Sequence, residues 1–409
     1  MDADAVSPHR SHAGRTDRGD PRGWAVQVTS SSSFAQRRRF LRASIVSPAL
    51  LLLPPPLLAG EGWGGVKSPA GTFDAVVGRT PFDDIPIFTS VGDAIASAPS
   101  AGGKPFRILV ARGRWHEKLV VDKPDIHLVG EDRTASVLTF DAAAGMPRPD
   151  GEPWGTWGCA SVTVRAPGFR ATNLTIENAF DYVGNLATPK FEPIGPNGAQ
   201  AVALMLDAGS DRACFERVDF IGHQDTLFAD AGRSFFRDCR ISGSVDFIFG
   251  GGNALFEQCE LHSRFRPGKE RQGYVAVPCT PSAQAYGLTF VRCRLTRDAA
   301  IRDGSVALGR AWRPGRTFAD GKYGDPDAVG AAVYLDCWMD AHIDPRGWDE
   351  MGYTARDGKR VMLQPGDARL FEHASSGPGA HRSASRRALP RDRIAAYARE
   401  RVLDGWEPI

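Results

Sequence analysis

One short pattern recurs along the chain: an aromatic residue, a small or intermediate residue three places on, and an apolar residue two beyond that. It is read at Phe169-Thr172-Leu174, Phe215-Val218-Phe220, Phe236-Cys239-Ile241, Phe256-Cys259-Leu261, Phe290-Cys293-Leu295 and Tyr334-Cys337-Met339. Charged or polar residues fill the places between, as in Phe256-Glu257-Gln258-Cys259-Glu260-Leu261. That alternation, punctuated by Gly and Asn, predicts short strands rather than helices. The steps from Phe215 to Phe236 and from Phe236 to Phe256 are 21 and 20 residues, while the remaining steps of 46, 34 and 44 each read as two coils or as one coil carrying a loop. A period of about 20 residues built from short strands belongs to a stacked solenoid, here a parallel β-helix. Each coil then buries its aromatic and its Cys or Val against the same positions of the next.

Stacked strands lie roughly 4.7–4.9 Å apart, so residues at equal offsets in adjacent coils become lateral neighbours. Asp225 follows Phe215 by ten residues, and Asp246 follows Phe236 by ten. The repeat therefore places the two carboxylates side by side. Gln224-Asp225-Thr226-Leu227-Phe228 and Asp246-Phe247-Ile248-Phe249-Gly250 embed each of them among bulky apolar residues, where an unpaired charge is costly. Two close carboxylates do not ionise equally: one pKa rises and suits an acid, and the other group stays ionised as a nucleophile or base. Spacing alone does not decide which is which.

With 409 residues, 42% of them hydrophobic, the chain has material for a large core, and an elongated solenoid of this length is one domain. Its net charge of +2 is unevenly spread: residues 1–42 hold eight Arg against four Asp, and residues 382–401 hold seven Arg against one Asp and one Glu, which leaves about −7 on the rest. A core of that sign excludes a phosphate-facing nucleic-acid surface. The stretch Arg382 to Arg401 reads as a solvated tail and helix. Of seven cysteines, Cys239, Cys259, Cys293 and Cys337 share one repeat position, which predicts buried free thiols rather than disulfides. No Cys-x-x-Cys pair or acidic cluster suggests a metal, and no cofactor is expected.

Near the amino terminus, Arg37-Arg38-Arg39-Phe40-Leu41-Arg42 precedes an apolar stretch from Ala43 to Leu58 that is interrupted by Pro54, Pro55 and Pro56. The arrangement is similar to a twin-arginine export signal, and the prolines argue against a membrane span, which needs roughly 20 uninterrupted apolar residues. The expected organisation is an extension with its signal over 1–71, a β-helix over 72–380 and an Arg-rich helical tail over 381–409, exported and monomeric. Val91, Ala94 and Ile95 mark a short helix that caps the amino-terminal end of the solenoid, and Phe106 to Val110, Leu119 to Val121 and Ile126 to Val129 read as its first strands.

Four segments carry a family resemblance: Gln200-Ala201-Val202-Ala203-Leu204, Gln224 to Phe228, Asp246 to Gly250, and Leu308-Gly309-Arg310-Ala311-Trp312. In this order, with the two aspartates 21 residues apart, they resemble the pectinesterases, the pectin methylesterases, over roughly residues 85–350. The resemblance implies an all-β, right-handed parallel β-helix that hydrolyses the methyl esters of galacturonate in pectin. It assigns Asp246 as nucleophile, Asp225 as proton donor and then base, and Gln224 as the oxyanion donor. It also places Gln200, Arg310, Trp312 and Thr156 against the substrate, with Arg310 paired to Asp246; Phe228 and Phe249 are candidates either for the groove lining or for the core. Ala311 stands where the family has proline, and Trp115 where Gly113-Arg114-Trp115-His116-Glu117 would have tyrosine. Trp154 and Trp157 are candidate sugar platforms, His223 a candidate neighbour of the acid pair, and the loop from Arg264 to Gln272 a candidate wall of the groove.

The same solenoid also carries polysaccharide hydrolases and lyases, since fold does not fix function, and a retaining glycosidase likewise uses two carboxylates about 5 Å apart. Gln224, suited to a carbonyl oxyanion, favours an esterase. The solenoid is equally compatible with a related esterase or with a non-catalytic carbohydrate-binding surface protein, but a scaffold has no need of Gln200, Gln224, Asp225, Asp246 and Arg310 together.

Overall fold

The computed structural model describes residues 73–79, 84–187 and 198–408; the export signal expected over Arg37 to Leu58 lies outside them. The chain coils through three parallel sheets of eleven, eight and seven strands, and two antiparallel hairpins, Gly315–Phe318 with Gly321–Gly324 and Met351–Thr354 with Arg360–Leu363, project from the coils. This is a right-handed parallel β-helix.

One coil shows why the repeat folds this way. Arg233–Arg237 runs in the first sheet, Asp238 turns the chain with φ of 53°, and Arg240–Gly243 continues in the second sheet. Ile248–Gly250 then forms the third sheet. Asn173, Arg217, Gln258, Arg292 and Asp336 take the same left-handed conformation between the first two sheets, with φ between 49° and 57°. The turn sits one residue before the small inward position, so each coil bends at the same place.

Inside, the aromatics stack: Phe215 on Phe236 at 4.7 Å, Phe236 on Phe256 at 4.5 Å, Phe256 on Phe290 at 4.8 Å and Phe290 on Tyr334 at 4.6 Å. All seven cysteines are free and buried, and the thiols of Cys239, Cys259, Cys293 and Cys337 each point at the carbonyl oxygen of the aromatic residue one coil back, at 3.5–3.6 Å.

The first repeat is set two residues away from the expected frame. Ala171, not Phe169, pairs with Phe215, and Ile176 pairs with Phe220. A strand has period two, so the shift leaves Phe169 inside, where it meets Phe215 at 5.8 Å, but it turns Thr172 outward beside Glu216. Each long step is one coil plus a loop, because Ala171–Phe215, Phe256–Phe290 and Phe290–Tyr334 are direct strand neighbours.

The capping helix is Val91–Ser97, with Val91, Ala94 and Ile95 buried. The Glu117 carboxylate accepts from the amides of Val91 at 2.8 Å and Gly92 at 2.9 Å, so the last residue of the Gly113–Glu117 motif is structural. Trp115 donates to the Ala111 carbonyl, and His116 is exposed. The expected first strands are present, but Ala75–Val77 and Ile87–Phe88 extend the sheet ahead of them.

The carboxy-terminal reading requires correction. Residues Arg387 to Leu389 lie along the edge strand Arg369–His373, with Glu372 N donating to Arg387 O at 3.0 Å and Leu389 N to Glu372 O at 2.8 Å. Arg386 is buried and bidentate to Glu372 at 2.7 and 2.6 Å, and Arg399 pairs with Glu257. Val402 and Leu403 are also buried. The segment covers an otherwise open edge, and only part of it is solvated.

Candidate active site

The groove lies against the third sheet, where the coil bends sharply before each strand. Asp225 and Asp246 both occupy that bend, with φ of 64° and 53°, a conformation Asp tolerates better than most residues. Leu227 pairs with Ile248, and Asp225 N donates to Val245 O at 3.0 Å. The equal offsets place the two carboxylates in adjacent coils, as the repeat requires. Each residue is 8% exposed.

Their environments differ. Arg310 is bidentate to Asp246, Nε to Oδ1 at 3.0 Å and Nη2 to Oδ2 at 2.7 Å. Asp225 has no such partner among the described residues. Burial raises its pKa well above the usual carboxylate range, the negative charge of Asp246 adds to the shift, and Arg310 only partly offsets it. Burial works against the Arg310 charge, but Asp246 outweighs it and the guanidinium pKa ends above its ordinary value.

Arg310 arrives from the strand Val306–Gly309, with the strand Gly273–Pro278 between it and the coil of Asp246. Its guanidinium carbon lies 3.8 Å from the centre of the Tyr274 ring, a cation–π contact that supports the long side chain along its reach. A side chain at Gly309 would place its Cβ 1.9 Å from Ala276 O, which explains the glycine before Arg310. Ala311 sits in the core at 2% exposure.

A groove of about 530 Å³ surrounds the pair and is lined by Thr156, Gln200, Gln224, Asp225, Asp246, Phe249, Arg310 and Trp312. These eight expected residues meet in this one place, whereas the further candidates His223, Trp154 and Trp157 are not in its lining. The Oε1 atom of Gln200 is buried without a protein partner, an arrangement suited to a group held for a ligand. Phe249 stacks on the buried Phe228 at 4.1 Å and meets Trp312 edge-on at 6.1 Å. Trp157, 48% exposed, leans on Trp312 at 6.0 Å, whereas Trp154 packs against Phe140 and beneath Lys118. The two candidate platforms therefore separate: one faces the aromatic wall, and the other is loop packing.

The loop after Asp246 forms the opposite wall through Arg266, Lys269, Glu270 and Arg271. Gln272 pins it by bonding Arg266 N and O, at 2.8 and 3.0 Å. His223 does not line the groove; it is stacked on Tyr182 at 4.9 Å, and burial, helped by Arg264, lowers its pKa to about 3. Its neutral ring is a packing element.

Tyr274, Val277 and Met351 also line the groove, and no motif in the sequence marks them. Phe249 pairs with Val277 and Ile248 with Ala276, so Tyr274 continues the line of Asp225 and Asp246. The inserted loop stretches the spacing from 21 to 28 residues between Asp246 and Tyr274, which hides the equivalence from a search at fixed period.

A family model described as pectinesterase matches residues 75–384. Pectinesterase A of Dickeya dadantii (strain 3937) is 43% identical over 343 residues, covering 83% of this chain and 93% of that protein. The Arabidopsis thaliana pectinesterase QRT1 is 30% identical over 77% of this chain and 74% of its own length. Among solved structures, a pectin methylesterase in complex with a hexasaccharide superposes with a TM-score of 0.79 at 42% identity, covering 83% of this chain and 99% of that one. The pectin methylesterase of Yersinia enterocolitica gives 0.75 at 41% identity, covering 78% and 99%.

Proposed function

Because this chain belongs to the pectinesterase family and hydrolyses the methyl esters of galacturonate in pectin, releasing methanol, we propose that Asp246 is its nucleophile, Asp225 its acid and base, and Gln224 its oxyanion donor. The observation that carries this division of labour is the bidentate Arg310–Asp246 pair beside an Asp225 that has no cation of its own among the described residues. Arg310 holds both oxygens of the Asp246 carboxylate and aims it. Asp225 retains a proton for the leaving group.

Asp246 attacks the ester carbonyl, and the carbonyl π electrons move to oxygen. The Gln224 amide donates to that oxyanion, a contribution worth about 3–4 kcal/mol per donor in other hydrolases. The C–O bond to methoxide breaks as Asp225 gives it a proton, leaving an acyl anhydride on Asp246. Asp225, now ionised, takes a proton from water. The resulting hydroxide adds to the acyl carbon, and collapse returns Asp246 as a carboxylate and the free galacturonate acid. Gln200 helps to define the pocket, Phe249 and Trp312 form the apolar wall for the methyl group and sugar face, and Thr156 contacts the chain.

Asp246→Ala should lower methanol release from highly methylated pectin by about 10³-fold or more, with the protein still folded by circular dichroism. Equal rates for variant and wild type would remove Asp246 from the mechanism. Residues 1–71 are proposed as an extension that carries a twin-arginine-type export signal. Replacing Arg38 and Arg39 with Lys should then leave the enzyme in the cytoplasm of a producing bacterium, and unchanged export would contradict it.

A further inference from the structure

A second cavity, of about 280 Å³, opens on the flank of the first sheet beside the carboxy-terminal segment. The catalytic groove, by contrast, is built on the third sheet. Tyr286, Phe371, Leu389 and Tyr397 wall this cavity, and Arg369 and Arg393 stand in its lining. Tyr286 meets Tyr397 edge to face at 5.4 Å and donates its hydroxyl to Ala396 O at 2.8 Å, so the aromatic walls are held in place.

The two arginines lack negative partners among the described residues. Arg369 donates Nη1 to Gln284 O at 2.6 Å and Nη2 to Pro281 O at 2.9 Å, while its Nε is buried with nothing opposite it. Burial lowers its pKa, and the only raising influence is the hydroxyl of Tyr397. In the carboxy-terminal segment the ion pairs are made by Arg386 and Arg399, not by Arg393. Arg369 is a half-buried guanidinium without a carboxylate beside an apolar wall, which is costly; Arg393 stands beside it exposed to solvent, and an anion with an apolar face satisfies the first and pairs with the second. A sugar acid has that chemistry: a carboxylate for the arginines and a C–H face for the aromatic rings.

We propose that this cavity is a non-catalytic site for one free galacturonate unit of de-esterified polymer. The inference rests on the esterase reading, since hydrolysis in the groove creates the carboxylate that the cavity takes. Its size is at the small end of ligand pockets, which suits a single sugar unit. A product unit bound at this cavity would hold the enzyme near polymer that it has already worked on.

The test uses the full chain, with co-sedimentation on unesterified pectate as one readout and methanol release from a short methyl-esterified oligogalacturonate as the other. Arg393 is exposed, so Arg393→Glu should fold normally. It should weaken pectate retention by about tenfold and leave release from the short ester unchanged. Arg401→Glu makes the same charge change at an exposed residue outside the cavity and should retain pectate like wild type. Equal loss in both variants would reduce the effect to diffuse surface charge, and no loss in Arg393→Glu would remove the site. Because the short-ester assay is read separately, failure of this proposal leaves the catalytic assignment standing, and a dead wild-type enzyme in that assay would implicate the catalytic reading instead.

Discussion

Asp225 costs the fold something that its chemistry needs. Its pKa is raised by burial and by Asp246, so the folded protein holds a proton that the unfolded chain gives up above pH of about 3.9. The sign follows from linkage: the stability associated with this group is complete below the unfolded pKa and is lost as pH rises toward the folded one. Asp225→Asn removes that penalty. Its melting temperature should exceed that of wild type by a few degrees at pH 8, with the gap closing toward pH 4, while methanol release collapses at both. Calorimetry across that range is the check, and a variant less stable than wild type at pH 8 would show that Asp225 is not held protonated. Arg310 offers a second test at this scale. Lysine keeps the charge but loses the two-pronged contact and most of the stacking on Tyr274, so Arg310→Lys should lower kcat by about 10²-fold with little change in KM.

At the scale of the coil, stability comes from repetition of the same few contacts. A left-handed turn at a non-glycine residue costs on the order of 1 kcal/mol, and six such turns recur between the first two sheets. They are held because the residues on either side are committed, the aromatic to its stack and the Val, Cys or Leu to the core. Phe256 is the middle of that stack, with Phe236 and Phe290 against its two faces at 4.5 and 4.8 Å. Phe256→Ala should destabilise the protein by about 3–5 kcal/mol, read as a lower denaturant midpoint. A loss below about 1 kcal/mol would mean that neighbouring coils close over the gap. The coil that carries Phe256 directly follows the coil of Asp246, so the stack and the site are disturbed together.

Over the whole molecule, stacking binds only neighbours, which leaves the last coil with an open strand edge. The carboxy-terminal segment closes it: Arg387 to Leu389 pair with Arg369–His373, and Arg386 reaches the buried Glu372. A composition so rich in arginine reads as solvated because burial of arginine needs a carboxylate partner that composition does not identify, whether 14 residues away as for Arg386 or 142 as for Arg399. Glu372 and Glu257 supply those partners only after the solenoid forms. The long loops show the same dependence. Sequence spacing marked where they leave the coils, but their return to one groove is set by the coils that carry them.

The repeat determined the fold class and the adjacency of Asp225 with Asp246, because a strand period of two and a coil of about 20 residues leave little freedom once aromatic and small residues recur in phase. It also determined the free thiols, whose shared position faces the core. Tertiary structure alone decided the asymmetry of the pair. Arg310 lies 64 residues beyond Asp246 and reaches it across Tyr274, a neighbour whose phase the inserted loop hides. Spacing made the two aspartates equivalent, and the position of one guanidinium, fixed by coils that follow them in the chain, gave only one of them a cationic partner.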